Sequence, residues 1–236
     1  MFPGNKRKAV TFSFDDGVTQ DRRLVALFNK YGFKCTWNIN SGTLDFTGEI
    51  TDRGKTANYS KISIYEVKSL YEGHEVAVHT LFHPDLCKES DDSVVLNIET
   101  DRMILEKLVG YPIVGMAYPG GTFDERVENI IKNKTKILYS RTIVHSYNFD
   151  RQEDLLTFKP TVHSMDFERL SKLIDEFIEL KPTEDKILYI WGHAYELDFD
   201  DTWDKFEQII KKLAHRDDIF YGTNKEVLID SLNIKN

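Results

Sequence analysis

Short apolar runs alternate with longer amphipathic ones along the whole chain. The apolar runs fall at 9–14, 34–39, 75–79, 113–118, 136–141, 155–162, 187–191 and 218–221. Several are apolar at almost every position, as strands covered on both faces must be. Between them, apolar residues recur at helical spacing. Leu24, Leu27, Phe28 and Tyr31 fall at i, i+3, i+4 and i+7, with Gly32 as a stop. Ser63 and Glu66 form a capping-box pattern before Val67, Leu70 and Tyr71, with Gly73 behind them. Val95, Ile98, Arg102 and Leu105 run on to Gly110, and Val127, Ile130 and Ile131 follow Asp124. Leu170, Leu173, Ile174 and Phe177 follow Asp166 and stop before Pro182, and Phe206, Ile209, Ile210 and Leu213 close the series. Strand–helix alternation of this kind predicts an α/β fold on a parallel sheet, either closed into a barrel or open and doubly wound. The polar stretch 41–61 reads as an inserted loop over one rim.

Length and composition narrow the classes. An α/β barrel commonly fills a chain of 236 residues, so 1–236 is expected to be a single domain. The 41% hydrophobic content excludes a disordered chain. A net charge of −8 argues against nucleic acid or an anionic membrane as partner. No apolar run approaches the roughly 20 residues that cross a bilayer. The apolar stretch behind Lys6-Arg7-Lys8 ends at Asp15 and Asp16, too short for the apolar part of a signal peptide. The chain as given is therefore expected to be cytoplasmic. Nothing in the pattern sets an oligomeric state. Cys35 and Cys87 are expected as two reduced, buried thiols rather than a disulfide.

Candidate chemistry sits at the strand ends. Phe14-Asp15-Asp16-Gly17 places two adjacent acids at the end of an apolar run. On extended backbone their side chains point apart, so one can face a metal and the other a water, although Asp-Asp-Gly also suits a plain turn. His79 and His83 follow the third run at i, i+4, with Pro84 arguing against a continuing helix. Tyr118-Pro119-Gly120-Gly121 is a glycine-rich turn whose backbone N–H groups could hold an oxyanion. His193 and Arg141 end two further runs, whereas His163 and His74 read as structural. Each of these residues alone has an ordinary structural explanation. Together they follow different predicted strands, and in a parallel barrel those ends share the rim where active sites lie. Two His and an Asp make an N/N/O ligand set that leaves room for water.

With the Phe-Asp-Asp-Gly and His-Thr-x-x-His elements in this order, the sequence resembles the polysaccharide deacetylase family, carbohydrate esterase family four or NodB homology domain, from about Lys8 to the last helices. His193 and the Tyr-Pro-Gly-Gly turn agree. The resemblance implies a distorted (β/α) barrel with seven or eight parallel strands, similar to a TIM barrel. It implies Asp15 as general base, Asp16, His79 and His83 as ligands of a divalent metal, and His193 as general acid. Backbone around Tyr118, Pro119 and Gly120 would complete the oxyanion site. The metal expected first is Zn, with Co, Ni, Fe or Mn as alternatives. The implied partner is an acetylated carbohydrate, the implied reaction removal of its N-acetyl group. O-acetyl ester or non-sugar amide hydrolysis at the same site, or a non-catalytic sugar-binding role, remain open. One departure matters: many members carry an Arg in the third motif, and Gly115-Met116-Ala117 has none. Arg141 is the candidate substitute for orienting the base. Trp191, Tyr195, Trp37 and Phe82 could offer faces to sugar rings or equally lie in the core, and Trp37 is expected in the core.

Overall fold

The strand-forming runs assemble into one parallel sheet in this computed structural model, which describes residues 1–52 and 54–231. In chain order the strands are β1 (Lys8–Asp15), β2 (Cys35–Ile39), β3 (Glu49–Asp52), β4 (Lys55–Asn58), β5 (Glu75–Val78), β6 (Gly115–Ala117), β7 (Tyr139–Arg141), β8 (Val162–His163), β9 (Lys186–His193) and β10 (Ile219–Tyr221). The helices are α1 (Asp21–Tyr31), α2 (Val67–Leu70), α3 (Asp91–Val109), α4 (Glu125–Lys134), α5 (Phe167–Glu179), α6 (Glu196–Phe199) and α7 (Trp203–Ile210). The main sheet runs β7-β6-β5-β2-β1-β9-β8, with β10 pairing the first residues of β1. All these pairings are parallel. β1 is buried at every position, which explains why apolar residues occupy both of its faces, alongside the polar Thr11 and Ser13.

The sheet curls until its two ends meet through an irregular segment. Phe158 N–H donates to Ser140 O (3.0 Å) and Thr142 N–H to Phe158 O (2.9 Å), while Thr161 N–H reaches Tyr189 O on β9 (2.8 Å). The expected strand at 155–162 is therefore mostly not a strand. Only Val162–His163 pairs regularly. Pro160 offers no N–H to a ladder, and Asp154 Oδ1 accepts from Leu156 N–H (2.9 Å), turning the chain before it. The result is a distorted (β/α) barrel.

The interval 41–61 is also more ordered than a loop. It carries the antiparallel β3–β4 hairpin, stitched to the barrel by Ile62 N–H on Gly17 O (2.9 Å) and Gly42 N–H on Leu81 O (3.0 Å). The hairpin is polar and exposed on nearly all faces, so its sequence shows no apolar alternation.

Helix signals worked where they were strongest. α1 buries Leu24, Val25, Phe28 and Tyr31 and ends on Gly32 at φ 70°. Asp124 and Asp166 cap α4 and α5 by accepting from Val127 and Arg169 N–H. The capping box half-forms: Ser63 N–H donates to Glu66 Oε2 (3.1 Å), but α2 runs only one turn. Both cysteines are free; Cys35 is buried, whereas Cys87 is only half-buried. Among the described residues no helix is long and apolar enough to cross a membrane.

Candidate active site

Register places the first acid. Asp15 lies opposite Asn38 of β2 and His193 of β9 at the end of three neighbouring strands. Its Oδ1 accepts from Asn38 Nδ2 (2.8 Å), and its Oδ2 accepts from Arg141 Nη2, contributed by β7. His193 Nε2 and His79 Nε2 stand 3.9 and 4.0 Å from the same Oδ2. Burial works to raise the Asp15 pKa, but Arg141 first, then the two imidazoles, outweigh it and hold the carboxyl below its ordinary range.

The second acid diverges from the first by a different route from strand alternation. Asp16 has φ 81°, so the chain leaves β1 through a left-handed residue. Its Oδ1 stands 3.7 Å from His79 Nε2 and 3.8 Å from His83 Nε2. Thr80 and His83 are left-handed too, at φ 65° and 58°, so strained backbone concentrates at this corner. The turn is pinned from behind. Asp101 of α3 accepts from His79 N–H (3.1 Å) and Ser41 N–H (2.7 Å), and Asn40 Nδ2 donates to the His79 carbonyl.

These three side chains fit a divalent cation. His79 Nδ1 lies 2.9 Å from Ala117 O and donates to it, leaving the Nε2 lone pair toward Asp16. Burial pushes the His79 pKa down to about 4, keeping the ring neutral. Asp16 Oδ1 is buried with no hydrogen-bond partner among the described residues, a costly arrangement unless a cation completes it. Ligand atoms of Asp16, His79 and His83 lie within 4.8 Å of one another, with His83 the exposed member. Lys61, delivered by the hairpin interval, donates from Nζ to Asp16 O (3.0 Å). Despite burial, its charge and those of the neighbouring imidazoles hold the Asp16 carboxyl far below the usual range.

On the opposite side stands His193. Glu196 Oε2 accepts from its backbone N–H (3.1 Å) and lies 3.3 Å from its Nδ1. Burial opposes protonation, yet Glu196 and the two aspartates bring the His193 pKa up to about 9. The glycine turn narrows the oxyanion expectation. Tyr118 N–H is spent on Arg141 O (3.1 Å), its hydroxyl donates to Leu156 O (2.9 Å), and its ring stacks on Phe123. Pro119 has no N–H. Gly120, exposed at φ 58°, carries the amide that meets no protein acceptor among the described residues.

The aromatic expectations divide. Trp37 is in the core, as expected. Trp191 is only 6% exposed, lying beneath the Arg141 guanidinium (4.3 Å) and against the edge of His163 (4.5 Å). Tyr195 is buried between His193 and Tyr59. Neither ring offers an open face; Phe82, 62% exposed beside His83, does. Sequence reasoning missed Asn38, Lys61 and Glu196, and it read His163 as structural. A strand-end position like those of the other rim residues could have flagged His163. Lys61 left no signal at all.

The sequence model of the polysaccharide deacetylase family matches residues 3–136. Solved structures with a similar fold include a polysaccharide deacetylase from Bacillus cereus, 21% identical over 63% of this chain and 45% of that one, with a TM-score of 0.52. The carbohydrate esterase family four domain of a multidomain xylanase from the hindgut metagenome of Trinervitermes trinervoides is 14% identical over 95% of this chain and 91% of that one, at a TM-score of 0.63. A pseudoenzyme of the same esterase family from Bacillus anthracis is 15% identical over 95% and 66%, at a TM-score of 0.58. The chain thus spans less than half the length of the Bacillus cereus relative. Among curated proteins nothing matches.

Proposed function

The chain belongs to the polysaccharide deacetylase family, and from that premise we propose that it is a metal-dependent hydrolase removing N-acetyl groups from a sugar or oligosaccharide. The observation that carries the reading is the meeting of Asp15, Asp16, His79, His83 and His193 on one rim, within 3.7–4.0 Å of one another in the pairs that face the two carboxylates.

In this reading Asp16, His79 and His83 hold the cation, zinc first by ligand chemistry. When bound, a divalent cation at this position polarises the acetyl carbonyl and acidifies a water. Asp15, ionised under the influence of Arg141, accepts a proton from the attacking water. The Gly120 N–H is the backbone donor available to the oxygen that gains charge as the carbonyl becomes tetrahedral. His193 Nε2, 3.9 Å across from Asp15, hands a proton to the departing nitrogen, which cannot leave as an amide anion. Acetate and a free amino sugar result.

The test separates binding from turnover. Asp15→Asn is expected to keep one ion per chain and lose acetate release by about 10²–10⁴-fold. His79→Ala is expected to lose both. Elemental analysis beside an acetate assay reads the two quantities, and full metal occupancy in His79→Ala would count against the ligand assignment. An O-acetyl substrate would show itself as ester hydrolysis that survives His193→Ala while amide hydrolysis does not.

A further inference from the structure

Glu196 opens α6 three residues after His193, and one of its oxygens gathers three nitrogens. Oε2 accepts from the His193 backbone N–H (3.1 Å), lies 3.3 Å from His193 Nδ1, and lies 3.4 Å from His163 Nε2. The strand before it is shaped for this meeting. A Cβ at Gly192 would collide with Ser164 Oγ, so glycine lets the end of β9 settle against the residue after β8. His163 is therefore carried to the face of His193, with Trp191 closing its other side.

We propose that Glu196 and His163 are positioning residues that hold His193 with Nδ1 on the glutamate and Nε2 turned to Asp15. The proposal rests on the reading of His193 as the acid. The tautomer of His163 decides what the cluster is. Its Nδ1 accepts from the Met165 backbone N–H (3.2 Å), so a neutral His163 carries its proton on Nε2, where the nearest acceptor is Glu196. That leaves the His163 Nε2 proton beside the carboxylate, 3.4 Å from Glu196 Oε2. The same atoms lie close enough together to hold a cation. A cation, however, needs the lone pair of His163 Nε2, which moves the proton to Nδ1 and sets it against the Met165 N–H. The arrangement with the proton on Nε2 needs no such clash. His193 Nδ1 is buried and makes no formed hydrogen bond among the described residues, and Glu196 Oε2 stands 3.3 Å from it. With that nitrogen turned to the glutamate, Nε2 is the one presented to the leaving group, 3.9 Å from Asp15 Oδ2. The logic is that of any catalytic imidazole whose second nitrogen is held by a carboxylate; here the carboxylate lies one helical turn after the imidazole and is itself held by a second histidine.

Glu196→Gln and His163→Ala are assayed with one equivalent of zinc on an N-acetylglucosamine oligomer and on an aryl acetate, whose leaving group needs little proton help. In parallel, the ring-nitrogen spectra of 15N-histidine-labelled wild-type protein are recorded. Expected is a kcat on the acetamide lower by about 10–100-fold in Glu196→Gln, with KM within about twofold and the amide-to-ester kcat ratio down about tenfold. His163→Ala moves the ratio the same way by less. The wild-type spectra are expected to show His163 protonated on Nε2 and His193 protonated on Nδ1. An unchanged amide-to-ester ratio in Glu196→Gln would overturn the proposal. So would a His163 proton on Nδ1, or a second zinc equivalent that shifts both rings. If wild-type protein releases acetate from neither substrate, the reaction assigned to the site fails, while the spectra still decide the positioning.

Discussion

Arg141 brings a guanidinium to Asp15 from outside the glycine-turn motif. Gly115-Met116-Ala117 carries no guanidinium, yet Arg141, at the end of the next strand in the chain, reaches Asp15 from β7. β6 and β7 are neighbours in register, Ala117 opposite Arg141, so the charge enters from the adjacent strand at the same height. A strand-end position made this residue legible in sequence. Its partner Trp191 could not be assigned to a sugar face or to the core from sequence, because an aromatic residue looks the same there whether its face is open or covered; it is covered. Arg141 and Asp15 are both fully buried, so removing one strands the other. Arg141→Met is expected to destabilise the fold by about 3–5 kcal/mol and to cut turnover with it. Urea unfolding beside kcat checks both, and a variant as stable and active as the parent would show that Asp15 needs no cation beside it. Lys61, by contrast, was illegible. A lysine in a polar interval carries no mark of burial, and only the docking of the β3–β4 arm against Gly17 brings it to Asp16.

Among the elements, those whose interior was apolar could be read and those held by polar stitching could not. The covered strands β1, β2, β5 and β9 and the capped helices α4 and α5 follow from burial periodicity and cap chemistry. The stretch 155–162 misled because its apolar residues serve two different neighbours, Phe158 facing β7 and Val162 facing β9. The contact between β9 and the residue after β8 gives the most specific test of an element-level fit. Gly192→Ala is expected to cost about 1–3 kcal/mol through the clash with Ser164 and to lower kcat by displacing His193. Adding Ser164→Gly removes the obstructing atoms and is expected to recover a good part of both losses, a coupling that a double-mutant cycle measures. Additive losses would place the strain elsewhere.

For the whole molecule, the parallel curl converts scattered sequence positions into one rim, which is why strand-end residues distant in sequence could be grouped as one candidate site. The same curl buries charge. Asp21 is fully buried, and burial raises its pKa from 3.8 to about 8 despite the Tyr71 hydroxyl bond. A raised carboxyl pKa means that the folded chain keeps a proton the unfolded chain has lost. Its contribution to stability is complete below about pH 4 and falls as pH rises toward about 8. Asp21→Asn is expected to flatten this decline, as unfolding curves at pH 5 and pH 8 would show; an equal slope in both proteins would mean that the carboxyl ionises freely. The most direct measurement of the central claim is acetate release from N-acetylglucosamine oligomers by chelator-stripped protein titrated with zinc. No release is expected without metal, and full release at one ion per chain. A protein that binds its ion tightly and frees no acetate from any acetylated glycan, or that works equally well stripped, would contradict it.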